Sequence, residues 1–238
     1  MPADVWKDRE VAKAFLGERS LLIPDRQRQL EVMLRVVRFQ CPQPHRILDV
    51  GAGDGILLAT LLEAFPDAGG VAVDFSPLML EQARHRLGQF GQRATTVEAD
   101  LQTPAWKDSL HGPFDVVVSG FAIHHLSHER KRVLYREIHD LLADGGVFVN
   151  SEHVASTTPR IEQMFDAAMT EHLFQRRKEK GEDVTLEQVR NEFMQRPDRA
   201  ANILALVEDQ CQWLREIGFR DVDCFWKFFE LAIFGGIK

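Results

Sequence analysis

Ile47-Leu48-Asp49-Val50-Gly51-Ala52-Gly53-Asp54-Gly55 runs an apolar stretch into a turn with glycine at every second position. The apolar run predicts a buried strand over 46–50, and the helical spacing after the turn predicts a helix to about Phe65. Glycine removes the Cβ, so a ligand can approach the backbone closely there. The first amides of the following helix offer partial positive charge. A dinucleotide pyrophosphate fits such a corner, and so does a carboxylate; a plain tight turn is the alternative.

Outward from this corner the chain alternates strand and helix. Strands are predicted over 70–74, 94–98, 114–119 and 146–152. Ser76-Pro77 forms an N-cap with proline at the first helical position, opening a helix to about Leu87, and a further helix covers about 127–142. This alternation predicts a parallel sheet covered on both faces. Upstream, Val5, Trp6, Ala12, Phe15 and Leu16 suggest a short helix. Leu30, Met33, Leu34 and Val37 mark an amphipathic helix over 25–39, which Cys41-Pro42-Gln43-Pro44 ends.

Residues 155–217 break the alternation and read as three helices, over about 159–179, 185–195 and 198–217. Thr185 and Gln188 fit a capping box. The tail reads as two strands, 222–228 and 231–237, too close together for a crossover helix, so they must pair antiparallel. The expected organisation is one domain over 1–238. It comprises an N-terminal helical extension (1–42), a core (45–154), a helical insertion or lid (155–217) and a C-terminal strand pair (218–238).

Composition narrows the function classes. The chain has 238 residues, 45% of them apolar and 27% charged, with sixteen Phe and four Trp, so a sizeable core is available and disorder is excluded. Cys41, Cys211 and Cys224 are few and scattered, which argues for reduced thiols and against a disulfide scaffold or a metal site. A net charge of −7 argues against a broadly basic nucleic-acid surface. No run of 18 apolar residues occurs and the early charges do not suit a secretory leader, so a soluble cytoplasmic protein is expected.

Two acids extend the glycine corner. Val71-Ala72-Val73-Asp74 ends in a carboxylate 23 positions after Gly51, where it can accept both ribose hydroxyls. Ser76 already supplies the N-cap, so Asp74 is not needed for that. Glu98-Ala99-Asp100-Leu101 places Asp100 at the end of the third strand, where it can accept from an exocyclic amine such as adenine N6; a turn aspartate is the alternative. Three such features at three successive strand ends reinforce one another.

ILDVGAGDG, VAVDFSP, EADL, FDVVVSGFAIHHL and LLADGGVFVNSEHV, in this order, resemble the class I S-adenosylmethionine-dependent methyltransferases over about residues 45–152. WLREIGF and the two strands after it resemble the end of that fold. The resemblance implies an α/β, Rossmann-like, seven-stranded and mostly parallel sheet of order 3-2-1-4-5-7-6, strand 7 antiparallel, with helices on both faces. It implies S-adenosyl-L-methionine as cofactor and S-adenosyl-L-homocysteine as its product. Carried over, Gly51 and Gly53 would pass the methionine part, and Asp49 would support its ammonium. Asp74 would hold the ribose, Met79 would lie against the adenine face, and Asp100 with the Leu101 amide would read the adenine edge. Ser119 and Gly120 would lie near the ammonium or sulfonium. Arg26 could reach the cofactor carboxylate, or be an ordinary solvated helix residue.

Methyl transfer needs alignment, exclusion of water and, for some acceptors, removal of a proton. His124 and His125 in Phe121-Ala122-Ile123-His124-His125-Leu126 are the candidate bases, with a scaffold role as alternative; Glu152 and His153 are the next pair. The expected partner is a small-molecule methyl acceptor, with no membrane and no assigned nucleic-acid patch, the chain being a monomer or homodimer. A dinucleotide oxidoreductase is disfavoured because Ile56 stands where the third small residue belongs and no Tyr-x-x-x-Lys occurs. The layout is also similar, more distantly, to the carboxy-S-adenosylmethionine synthases of transfer-RNA wobble-uridine modification. These hold the added carboxylate with an arginine in the insertion, where Arg196 and Arg199 lie. A non-catalytic cofactor-binding scaffold is the remaining alternative.

Overall fold

The computed structural model describes residues 23–238; the short helix expected near the N-terminus lies outside them. Helix α1 spans Arg26–Gln40, and the core then runs β1 Arg46–Val50, α2 Ile56–Ala64, β2 Gly69–Asp74, α3 Pro77–Leu87 and β3 Ala94–Glu98. It continues with β4 Phe114–Gly120, α4 His128–Leu141 and β5 Leu142–His153. Helices α5 Pro159–Glu179, α6 Leu186–Met194 and α7 Val207–Ile217 precede β6 Arg220–Phe228 and β7 Leu231–Ile237. The seven strands are ordered β3-β2-β1-β4-β5-β7-β6, and β7 runs antiparallel to both its neighbours.

Both faces of the sheet are buried. On one, Met33 and Val37 of α1, Leu58, Leu61 and Leu62 of α2 and Ala83 of α3 pack against Val116, Val118 and Ile233. On the other, Leu134, Tyr135 and Ile138 of α4 and Leu214 of α7 cover Val117, Phe148 and Phe234. Alternate β4 residues thus face opposite layers, as the strand period of two requires. A third cluster joins Phe165, Met169 and Leu173 of α5 to Val189 and Phe193 of α6 and to Leu231.

Local signals set the helix starts. Ser76 accepts the Met79 amide with Pro77 behind it, and Thr185 and Gln188 form a reciprocal capping box. The continuous helix expected over 198–217 is not formed. A short 3-10 turn, Pro197–Ala201, is followed by extended backbone at 202–206, and α7 starts only at Val207. The backbone of this strap finds partners elsewhere: the Ile203 amide donates to the His124 carbonyl at 2.8 Å, and the Ala155 amide donates to the Ala205 carbonyl at 2.9 Å. Such bonds satisfy main-chain groups without a helix.

Candidate active site

The glycine corner sits where the strand order reverses, at the carboxyl ends of β1 and β4. Gly51, Gly53 and Gly55 have φ of 68°, 55° and 75°, the left-handed region in which a side chain is strained. A Cβ at Gly51 would stand 2.2 Å from that of Ala122, so glycine there lets the loop after β4 close onto the turn. One pocket opens at this corner, lined from the turn by Gly51 and Gly53, from β2 and α3 by Asp74 and Met79, and from the loop after β3 by Asp100 and Leu101. Gly120, Phe121, Ala122, His125 and Leu126 form the opposite wall.

The acids are fixed by backbone amides. Asp74 Oδ2 accepts the Gly53 N–H at 2.8 Å and Oδ1 accepts the Ser76 N–H at 2.9 Å, joining the turn to the start of α3. Asp100 Oδ1 accepts the Gln102 N–H at 2.9 Å and so shapes its own loop. From behind, Arg130 Nε donates to the Leu101 carbonyl at 2.6 Å, while its Nη2 meets Glu137 Oε2 at 2.7 Å. Sequence reading missed Arg130; its only signal was a basic residue early in a helix.

Four expected site residues are not among the described residues that line the pocket. Asp49 is buried, and its Oδ2 accepts the Leu58 N–H at 3.1 Å, within the first turn of α2. Ser119 Oγ donates to the Val50 carbonyl at 2.7 Å and ties β4 to β1. Arg26 places its guanidinium 5.6 Å from the centre of the Phe121 ring, which does line the pocket. His124 points the other way, onto Glu152.

That contact organises the loop. Glu152 Oε1 lies 2.5 Å from His124 Nδ1, and Oε2 accepts the His124 amide at 3.0 Å. Burial holds the His124 imidazole well below its ordinary pKa, helped by His153 and Lys131. Burial also raises the Glu152 carboxyl, opposed by the His153 amide and by Lys131. His153 Nε2 in turn meets Glu230 Oε2 at 2.9 Å. His125 lines the pocket, and its Nδ1 lies 3.3 Å from the Ala201 carbonyl. A carbonyl only accepts, so a neutral His125 in this contact carries its proton on Nδ1 and a lone pair on Nε2.

Arg196 and Arg199 do not line the pocket. Arg199 forms a two-bonded pair with Asp166 at 2.8 and 2.9 Å, and the Arg196 guanidinium lies 4.3 Å from the centre of the Phe193 ring. Among the described residues, no helix is long and apolar enough to cross a membrane. No cluster of His, Cys, Asp and Glu among them would hold a metal ion.

A family model described as a methyltransferase domain matches residues 48–148, the stretch that carries the glycine turn and the strand ends around the pocket. A carboxy-S-adenosyl-L-methionine synthase from Nitratiruptor sp. is 24% identical over 234 residues, covering 97% of this chain and 92% of that protein. A malonyl-[acyl-carrier protein] O-methyltransferase from Geobacter sulfurreducens is 32% identical over 143 residues, covering 60% of this chain and 51% of that protein. Among solved structures, the apo form of the S-adenosylmethionine-dependent methyltransferase SibL superposes with a TM-score of 0.62 at 25% identity, covering 89% of this chain. The chain spans 55% of that structure, about half its length.

Proposed function

We propose that this chain is an S-adenosylmethionine-dependent methyltransferase, as its similarities suggest, and that it transfers the methyl group to a small-molecule acceptor held between the pocket and the insertion of residues 155–217. When bound, S-adenosylmethionine supplies an electrophilic methyl on a sulfonium. The pocket fits that cofactor: a left-handed glycine turn leaves room for a chain to pass, and carboxylates stand on one wall beside apolar Met79 and Leu101. In this reading Asp74 accepts the ribose hydroxyls, Asp100 and the Leu101 amide read the adenine edge, and Met79 covers its face. Gly51, Gly53 and Gly120 border the methionine part.

Asp49 and Ser119 act one layer back in this reading. Asp49 fixes the first turn of α2, and Ser119 fixes the spacing of the two strand ends that frame the pocket. His125, which lines the pocket, is the proton acceptor, and His124 is a scaffold residue seated on Glu152. Arg26 supports the wall through Phe121.

The observation that carries methyl transfer over transfer of a carboxylated group is the charge of the lining. Among the described residues, the lining contains neither Arg nor Lys, whereas a carboxylated donor adds a negative charge that a pocket closed to water must pair. Arg199 is already engaged by Asp166. The full-length similarity to the Nitratiruptor synthase favours the second reading, in which Arg196 or Arg199 turns inward to that carboxylate.

Mass spectrometry of the ligand released from purified protein by denaturation separates the two. Adenosylmethionine or adenosylhomocysteine supports the methyltransferase, and formation of adenosylhomocysteine with a panel of small hydroxyl, carboxyl and amino acceptors then completes the case. Recovery of the carboxylated donor overturns it in favour of the synthase. Tight binding of adenosylmethionine with no turnover on any acceptor points to the scaffold.

A further inference from the structure

The insertion reaches the pocket through the strap at 202–206 that replaces the expected helix. Along Ala201 and the strap, bonds to the loop after β4 and to the first residue of α4 recur at short intervals. The Ile203 amide donates to the His124 carbonyl at 2.8 Å, His125 Nδ1–H donates to the Ala201 carbonyl at 3.3 Å, and His128 Nε2 lies 3.1 Å from the Leu204 carbonyl. Lys131 of α4, fully buried, closes the arrangement from beneath. Its Nζ donates to the Leu126 carbonyl at 2.8 Å and also to the Ile203 carbonyl. Leu126 lines the pocket and Ile203 does not. One ammonium therefore bridges the pocket wall and the strap, and each of those carbonyls lies outside any α-helix.

The strap is tied to the insertion just as firmly. Arg199, at its start, is clamped to Asp166 on α5, and the Ala155 amide, where the insertion leaves the sheet, donates to the Ala205 carbonyl. A continuous series of bonds thus runs from α5 through Arg199 and the strap to Lys131 and Leu126. A lysine suits the bridge because it offers three donors on a long stem and makes no geometric demand of a planar fork.

We propose that Lys131 is a positioning residue that couples the insertion to the cofactor pocket, so that cofactor binding tightens the strap and an ordered strap strengthens cofactor binding. The inference rests on the cofactor-site reading above. Coupling of this kind is reciprocal by thermodynamic necessity. It gives Lys131 an effect on a ligand it does not touch, which a purely structural lysine would not have.

Hydrogen–deuterium exchange of the whole chain with and without S-adenosylhomocysteine tests it. In the wild type the ligand is expected to slow exchange in segments 51–55, 74–79 and 100–103, and also in 201–206, by roughly 5-fold or more in the strap. In Lys131→Met, similar in length but without donors, the pocket segments should remain protected and the strap protection should vanish, with affinity weakened. Lys131→Arg, which keeps donors, should restore part of it. If Lys131→Met does not fold, Lys131→Gln, with one donating amide group, is measured in its place. Pocket protection without strap protection in the wild type overturns the coupling. Strap protection that survives Lys131→Met overturns the role of Lys131. Failure of the ligand to protect any segment refutes the cofactor-site reading, and this inference with it.

Discussion

The two walls of the pocket are held by opposite means. On the glycine-turn wall, carboxylates accept backbone amides from nearby turns: Asp74 takes Gly53 and Ser76, and Asp100 takes Gln102. On the insertion-facing wall, cationic and imidazole side chains reach backbone carbonyls far away in the chain: Lys131 to Ile203, His125 to Ala201, His128 to Leu204. The first wall is a set of short-range motifs with rigid turns. The second is a zipper between segments more than seventy residues apart, made from an ammonium and two imidazoles.

The largest expected break falls on the rigid wall. Gly51→Ala forces a left-handed backbone on alanine and drives its Cβ into Ala122. Strain of about 1–3 kcal/mol and overpacking of about 1–3 kcal/mol together predict a loss of roughly 2–6 kcal/mol in denaturant unfolding. Displacement of residues 121–126 should abolish binding of adenosylhomocysteine in calorimetry as well. A variant with unchanged unfolding and affinity would show that the close approach of the two loops is not needed.

His125→Ala addresses the seam where it meets the pocket. Loss of a positioned base lowers turnover by roughly 10²–10⁴, measured as adenosylhomocysteine formed with the acceptor found in the screen, while cofactor affinity changes little. His124→Ala should instead reduce stability, because it leaves Glu152 buried without the imidazole. A reversal of these two outcomes would exchange their roles.

Asp74→Ala separates cofactor recognition from the seam. It removes the proposed acceptor for the ribose and leaves the Gly53 and Ser76 amides without their carboxylate. An unmade bond of this kind costs on the order of 1–3 kcal/mol, so affinity for adenosylhomocysteine should fall by roughly 5- to 150-fold with the fold retained. Unchanged affinity in a folded variant removes Asp74 from the ribose site.

The contrast between the walls also explains what could be read in the sequence. The glycine turn, the acids at the ends of β2 and β3, the Ser76 cap and the Thr185 capping box are local patterns, and the structure puts Gly51, Gly53, Asp74, Met79, Asp100, Leu101, Gly120 and His125 on one pocket. The seam left no such pattern. Asn202-Ile203-Leu204-Ala205-Leu206 is compatible with a helix until its partners at His124 and Ala155 are known. Which of two adjacent histidines faces the pocket depends on Glu152, 28 positions from His124, and so does not follow from His-His-Leu alone. Asp49 and Ser119 were correctly located at strand ends, but the side of the strand on which each carboxylate or hydroxyl lies depends on packing against α2 and β1.

The smallest expected effect tests the titratable character of the seam. Burial lowers the Lys131 ammonium from 10.5 to about 8, with Glu152 opposing the shift. Between these values the unfolded chain keeps the proton that the folded chain releases. The unfolded state then binds more protons, so stability rises with pH across this window. The penalty for burying the charge is fully present below about 8 and is gone above 10.5. Measured from about pH 7 to about pH 9, denaturant unfolding of the wild type should gain roughly 1 kcal/mol relative to Lys131→Met. Parallel pH profiles for the two proteins would mean that Lys131 titrates alike in the folded and unfolded chains, so that its carbonyl partners and Glu152 fully offset the burial of its charge.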